Sequence, residues 1–176
     1  MKRIQLLTAL TLLAAPVMAA DTDVRPTEKP IRVLVGLFQP TAGGAKSALH
    51  LGLGYDFLKS KDKAPTIYNV YVDYNSRRVT VPVGEGTERR DVSRTGIGVS
   101  ARFLTDSANN AARSYYGAGI GSYTVKNGTS KSNLGGKAFV GHELNSGVFV
   151  EADYTFIAKV NGTDPSGWSA RVGFRF

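Results

Sequence analysis

From Ile31 to Phe176 the chain alternates apolar with small or polar residues, and helix-type spacing is scarce. Eight stretches carry the alternation: Ile31–Phe38, Ala48–Leu58, Thr66–Asn75, Arg94–Phe103, Ser114–Val125, Leu134–Leu144, Gly147–Ile157 and Trp168–Phe176. Turn-forming residues separate them, among them Thr41-Ala42-Gly43-Gly44, Gly84-Glu85-Gly86, Asn127-Gly128, Asn145-Ser146-Gly147 and Asn161-Gly162. This succession predicts eight antiparallel strands joined by hairpins. The longest connection, Ser76 to Ser93, holds Val79-Thr80-Val81-Pro82-Val83 beside its turn and is expected to prolong its flanking strands as a hairpin beyond the membrane.

The alternation also sorts two faces. In the last stretch Trp168, Ala170, Val172, Phe174 and Phe176 oppose Ser169, Arg171, Gly173 and Arg175. Leu49, Leu51, Leu53, Tyr55 and Phe57 likewise oppose His50, Gly52, Gly54 and Asp56. A soluble sandwich or ligand-binding barrel would turn the apolar face inward, whereas a membrane barrel turns it to lipid. Three features favour lipid: the polar face is crowded with glycine, it carries full charges deep within strands, and the apolar face places its rings at strand ends. With both termini periplasmic, Tyr55, Phe57, Tyr68, Phe103, Tyr116, Phe174 and Phe176 form one belt, and Tyr74, Tyr154, Phe156 and Trp168 the other. The expected fold is all-β: an eight-stranded antiparallel up-and-down transmembrane β-barrel. One series fits poorly. After Ile120 the outward positions are Ser122, Thr124 and Lys126. Either that end stands above the bilayer, or a bulge near Gly121 turns Tyr123 and Val125 outward.

Composition adds a compartment. Of the 176 residues the first 20 read as a secretory signal, with Lys2 and Arg3, an apolar run from Ile4 to Val17, and Ala19 and Ala20 before the cut. Residues 21–30 are expected to form a short periplasmic tail, and 31–176 the barrel domain. Losing Lys2 and Arg3 lowers the net charge from +8 to +6. The absence of cysteine excludes disulfides, a thiolate nucleophile and cysteine metal sites. Past the leader no apolar run approaches the ~18–20 residues of a membrane helix.

Each remaining charge falls in a compartment. The lumen is expected to hold Arg32, Arg102, Lys137, Arg171 and Arg175 against Asp56, Asp73, Glu143, Glu151 and Asp153. Five ions of each sign suit a plugged interior, because buried charge is tolerated only when paired. Nine basic residues are assigned to the outer loops: Lys46, Arg77, Arg78, Arg89, Arg90, Arg94, Lys126, Lys131 and Lys159. Their acids are Glu85, Glu88, Asp91 and Asp164. This excess on the exposed side is suited to anionic surface glycans, lipid phosphates or host molecules, and no nucleic-acid motif accompanies it.

Catalytic, cofactor and metal signals are lacking. His50 falls on the lumen face and reads as a hydrogen-bonding group. An enzyme acting on membrane lipids would need a Ser or Asp beside it. His142-Glu143 is no zinc motif, since neighbours on a strand point to opposite faces. Gly117, Gly119 and Gly121 recur at every second residue with no helix following, which suits close packing and not a dinucleotide.

Four segments, Tyr115–Gly121, Gly135–Gly141, Gly147–Tyr154 and Arg171–Phe176, resemble the OmpA-like superfamily of eight-stranded outer-membrane barrels, including the OmpX and opacity-type proteins. The resemblance implies residence in the outer membrane of a Gram-negative-type envelope, among its lipids. It also implies that the terminal Phe176 is the signal shown to the outer-membrane assembly machinery. The expected role is envelope integrity or surface adhesion through basic loops on a sealed barrel. The runner-up is a narrow pore or conduit for small apolar molecules.

Overall fold

The computed structural model describes residues 24–25, 27–41, 46–60, 65–83, 86–105, 112–144, 146–160 and 164–176, with backbone alone at 24–25, 79–83, 86–88 and 90. The leader expected over 1–20 lies outside them. A two-residue strand, β1 (Val24–Arg25), precedes eight long ones: β2 (Ile31–Pro40), β3 (Ala48–Ser60), β4 (Thr66–Val83), β5 (Gly86–Leu104), β6 (Ala112–Asn127), β7 (Thr129–Leu144), β8 (Val148–Ile157) and β9 (Gly167–Arg175). Each long strand pairs antiparallel with its sequence neighbour, and β2 pairs with β9 from Arg32↔Arg175 to Pro40↔Gly167, closing an eight-stranded up-and-down barrel. Tail residues Val24 and Arg25 add to the β3 edge opposite Ser60 and Lys59. Gly128 and Gly147 take the positive φ values, 72° and 86°, that tight connections require.

The pleat delivers the two faces read from the sequence. Leu37, Ile97, Val140 and Trp168 are 58–61% exposed on the exterior, while Asp56 and Arg102 are at most 1% exposed within. Inside, glycine makes room for rings from neighbouring strands: a Cβ on Gly141 would strike Tyr115, and one on Gly173 would strike Phe149. Interior and exterior are thus inverted relative to a soluble protein.

The wall is uneven. β3 stops pairing with β4 at Leu49↔Ser76, but β4 and β5 continue for seven further pairs to Val83↔Gly86, about 24 Å of ribbon. β6 and β7 also run on, to Asn127↔Thr129. Registers on both sides of β6 are unbroken, and Tyr123 and Val125 are buried, so the bulge at Gly121 is ruled out and Ser122, Thr124 and Lys126 stay on the outward face. A bulge lies elsewhere. Between Asp56 and Leu58 the β3–β4 register shifts, leaving Phe57 unpaired. The extra residue reverses the pleat, so Lys59 comes opposite Ile67 at the periplasmic mouth.

Candidate functional site

The interior is organised around two carboxylate-rich clusters. Arg171 is the hub of the first. Its Nη1 lies 2.8 Å from Asp73, and its Nη2 lies 2.6 Å from Glu151 and 2.9 Å from Asp153. Lys137 reaches the other oxygen of Asp73 at 3.1 Å, and Arg32 reaches Glu151 at 2.9 Å. Tyr115 donates to Glu151 and accepts from Arg32, so a ring joins the ions. Toward the periplasm, Asp56 receives Arg102 at 2.6 Å, Arg175 at 3.1 Å and the Asn69 amide at 2.9 Å, and Arg175 also meets Glu143 at 3.3 Å. All ten ions assigned to the lumen therefore lie in these two clusters. The Arg102 guanidinium sits 5.1 Å from the Tyr115 ring centroid, bridging them. A void of about 10 Å³ is left among Arg32, Asn69, Asp73, Lys137 and Glu151.

The sequence reading placed Arg94 in an outer loop, and the structure corrects this. Arg94 is 4% exposed inside the outer mouth. Its guanidinium lies 4.0 Å from the Phe38 ring centroid, donates to the Pro165 carbonyl at 3.3 Å, and bonds the Asn75 amide oxygen through Nε and Nη2 at 2.9 Å. The signal was available: Arg94 has the parity of Gly96, Ser100 and Arg102, the inward series of β5. Among the described residues Arg94 thus joins the five cations assigned to the lumen, and it is held by neutral groups.

Sequence reasoning also missed the surroundings of His50. This residue is fully buried, its Nδ1 2.8 Å from Ser169 Oγ and its Nε2 3.8 Å from Asp73. A Ser and an Asp thus do lie beside it, but the set does not form a relay. Asp73 is committed to Lys137 and Arg171, and 3.8 Å is no hydrogen bond. A second contact, Ser114 Oγ to His142 Nδ1 at 3.0 Å, lies on the outward face. No described group of three His, Asp or Glu could hold a metal ion.

At the outer rim Arg78 pairs with Asp91 at 3.1 Å with both side chains 68% exposed, and Arg89 is exposed. Arg77 is half-buried on the inward side, a departure from the exposed position expected of it, and its Nη1 has no hydrogen-bond partner among the described residues. The side chain of Arg90 lies outside the described residues. Phe176 is exposed, its ring 5.9 Å from that of Phe174 and its amide bonded to the Ile31 carbonyl. At the periplasmic mouth a cavity of about 180 Å³ is lined by Lys59, Arg113, Glu143 and Arg175 with Ile67 and Leu104.

A hydrocarbon exterior wrapped around paired ions, in up-and-down order, defines a transmembrane β-barrel of the small outer-membrane class. Neither a family model nor a curated protein sequence matches the chain. Solved structures do. The Neisserial surface protein A, NspA, superposes with a TM-score of 0.57 at 15% identity, covering 83% of this chain and 94% of its own. The outer-membrane enzyme PagL gives 0.54 at 14%, covering 83% and 97%. The N-terminal β-barrel domain of Pseudomonas aeruginosa OprF gives 0.48 at 13%, covering 84% and 98%. The likeness is one of fold alone, a small eight-stranded antiparallel barrel.

Proposed function

We propose that the protein is a sealed, non-catalytic barrel that acts through its exposed basic rim, binding polyanions such as surface-lipid phosphates or acidic glycans in envelope integrity or adhesion. The partition of charge carries this reading. Inside, cations meet carboxylates at 2.6–3.3 Å and are spent on one another. At the outer end, with Arg77 turned inward, Lys46, Arg78, Arg89, Arg90, Lys126, Lys131 and Lys159 stand against only four acids in the sequence. The commitment of Asp73 to Lys137 and Arg171 supports the non-catalytic part. The leader over 1–20 and assembly through the strand ending at Phe176 belong to the same reading.

The test replaces Arg77, Arg78, Arg89 and Arg90 together with Ser and measures binding to vesicles containing an anionic lipid or to an anionic glycan. Each cation near an anionic surface contributes about 1 kcal/mol. Because Arg78 is paired and Arg77 half-buried, a loss of at least about tenfold is expected. Unchanged binding removes the partner. Planar-bilayer recordings separate the runner-up: a sealed lumen gives no stable conductance, and a stable one favours a narrow pore.

A further inference from the structure

Followed along the tall wall, the outward face changes character in steps. Val72, Ile97, Ile120 and Leu134 close the apolar zone on β4 to β7. Above it one registered row reads Tyr74–Thr95–Thr124–Ser132, the next reads Ser76–Ser93–Lys126–Ser130, and Ser122 sits between Ile97 and Leu134. Seven aliphatic hydroxyls and one lysine therefore tile four adjacent strands before the charged pair Arg78 and Asp91 begins. Thr124 Oγ1 and Ser132 Oγ lie 2.8 Å apart across the β6–β7 pair. Among the described residues the other half of the barrel has a sparser counterpart: above Leu37, Leu49 and Phe156 its outward face carries Trp168 beside Gln39, and Ser47, which donates to Gln39 at 2.6 Å.

We propose that this hydroxyl tier is a docking surface for the sugar core of a membrane glycolipid whose acyl chains lie against the apolar zone below. The argument is continuity. The tier prolongs the lipid-facing surface without a break in register, so its partner is whatever stands directly above the acyl layer. Side chains facing bulk water at the same distance from the membrane would be free to carry charge, as Arg78 and Asp91 do one step higher and Arg89 does two steps higher. Each hydroxyl offers one donor and two acceptor lone pairs, matching the neutral donor and acceptor groups of a saccharide, and Lys126 supplies one cation for a phosphate borne on it. Strand spacing of about 4.8 Å and alternate-residue spacing of about 6.8 Å make the array regular along the curved wall. The proposal rests on the lipid-facing exterior and is independent of the arginine rim.

The test uses the full barrel with Thr95→Val, Thr124→Val and Ser132→Ala combined, changes that keep shape and strand propensity. Folding of the variant in phosphatidylcholine vesicles is checked first by heat-modifiable gel mobility; if it fails there, Thr124→Val alone replaces it, with Thr124→Ser as the hydroxyl-retaining control. Thermal unfolding midpoints are then measured in phosphatidylcholine containing lipopolysaccharide with its complete core, lipid A without core sugars, or free core oligosaccharide. Expected is an upward shift of the unaltered protein with the core-bearing lipid beyond that with lipid A, of which the variant loses more than half. An equal shift in both proteins, or no core-dependent shift, overturns the proposal. Free oligosaccharide producing the same shift as the lipid-borne core also overturns it, because the site then serves a soluble glycan. The Arg77, Arg78, Arg89 and Arg90 to Ser variant retains the core-dependent shift if the two surfaces are separate.

Discussion

Arg171→Met tests the interior most directly, because one side chain contacts three carboxylates. Removing the guanidinium leaves Asp73 with Lys137 and Glu151 with Arg32, but strips Asp153 of its ion-pair partner among the described residues. Methionine restores much of the volume without the charge, so the effect is chiefly electrostatic. Breaking a buried pair by deleting one partner costs about 3–5 kcal/mol, or roughly two to four orders of magnitude in the unfolding equilibrium. The matched control is Arg78→Met, whose pair with Asp91 is 68% exposed on both sides and is worth about 0–1 kcal/mol. Urea unfolding in phosphatidylcholine vesicles, read by gel mobility and by fluorescence of Trp168, the one tryptophan, measures both. Adding Asp153→Asn to Arg171→Met should recover part of the loss. An Arg171→Met cost no larger than that of Arg78→Met would falsify the view that the lumen is held by paired ions.

Two further outcomes follow from the faces and the rim. Val172 lies between Val35 and Val150 on the exterior, so Val172→Arg is expected to destabilise the barrel by about 2–4 kcal/mol in a bilayer, and a neutral result in the same urea assay would contradict the lipid-facing assignment. In the β8–β9 connection, hydrogen bonds from Ser166 hold the Asp164 carboxyl below its usual range. A depressed folded-state value means the contribution is present above the ordinary Asp value and is lost as pH falls through the folded one. The Ser166 amide should stay protected from hydrogen exchange at pH 5 and lose protection below about pH 4. Asp164→Asn should abolish that step, and protection persisting to pH 2 would count against the contact.

Much of the fold was legible because a period of two is unambiguous over strands of nine or more residues. The faces of β9, β8 and β3 follow from parity alone. What escaped has identifiable physical causes. The bulge at Phe57 leaves no mark in composition, because Phe57 and Leu58 are both apolar, so the turn of Lys59 toward the mouth could not be read. The upper part of β7 was missed because Thr129 to Asn133 is polar on both faces, which resembles a loop until pairing with β6 is known. Arg94 was misplaced because parity gives a face but not where the wall ends. Which carboxylate receives which cation is non-local: Arg32 and Glu151 lie 119 positions apart, and so do His50 and Ser169.

The seam between β2 and β9 has a consequence for biogenesis. Every other long pairing joins consecutive strands, but this one waits for the last residues to be delivered to the first. Until then the chain is an open ribbon with two bare edges and a half-formed ionic interior, prone to stick to its neighbours. Maturation is therefore a post-synthetic event, and a chain cut short before Trp168 forfeits closure altogether rather than losing one-eighth of the cylinder.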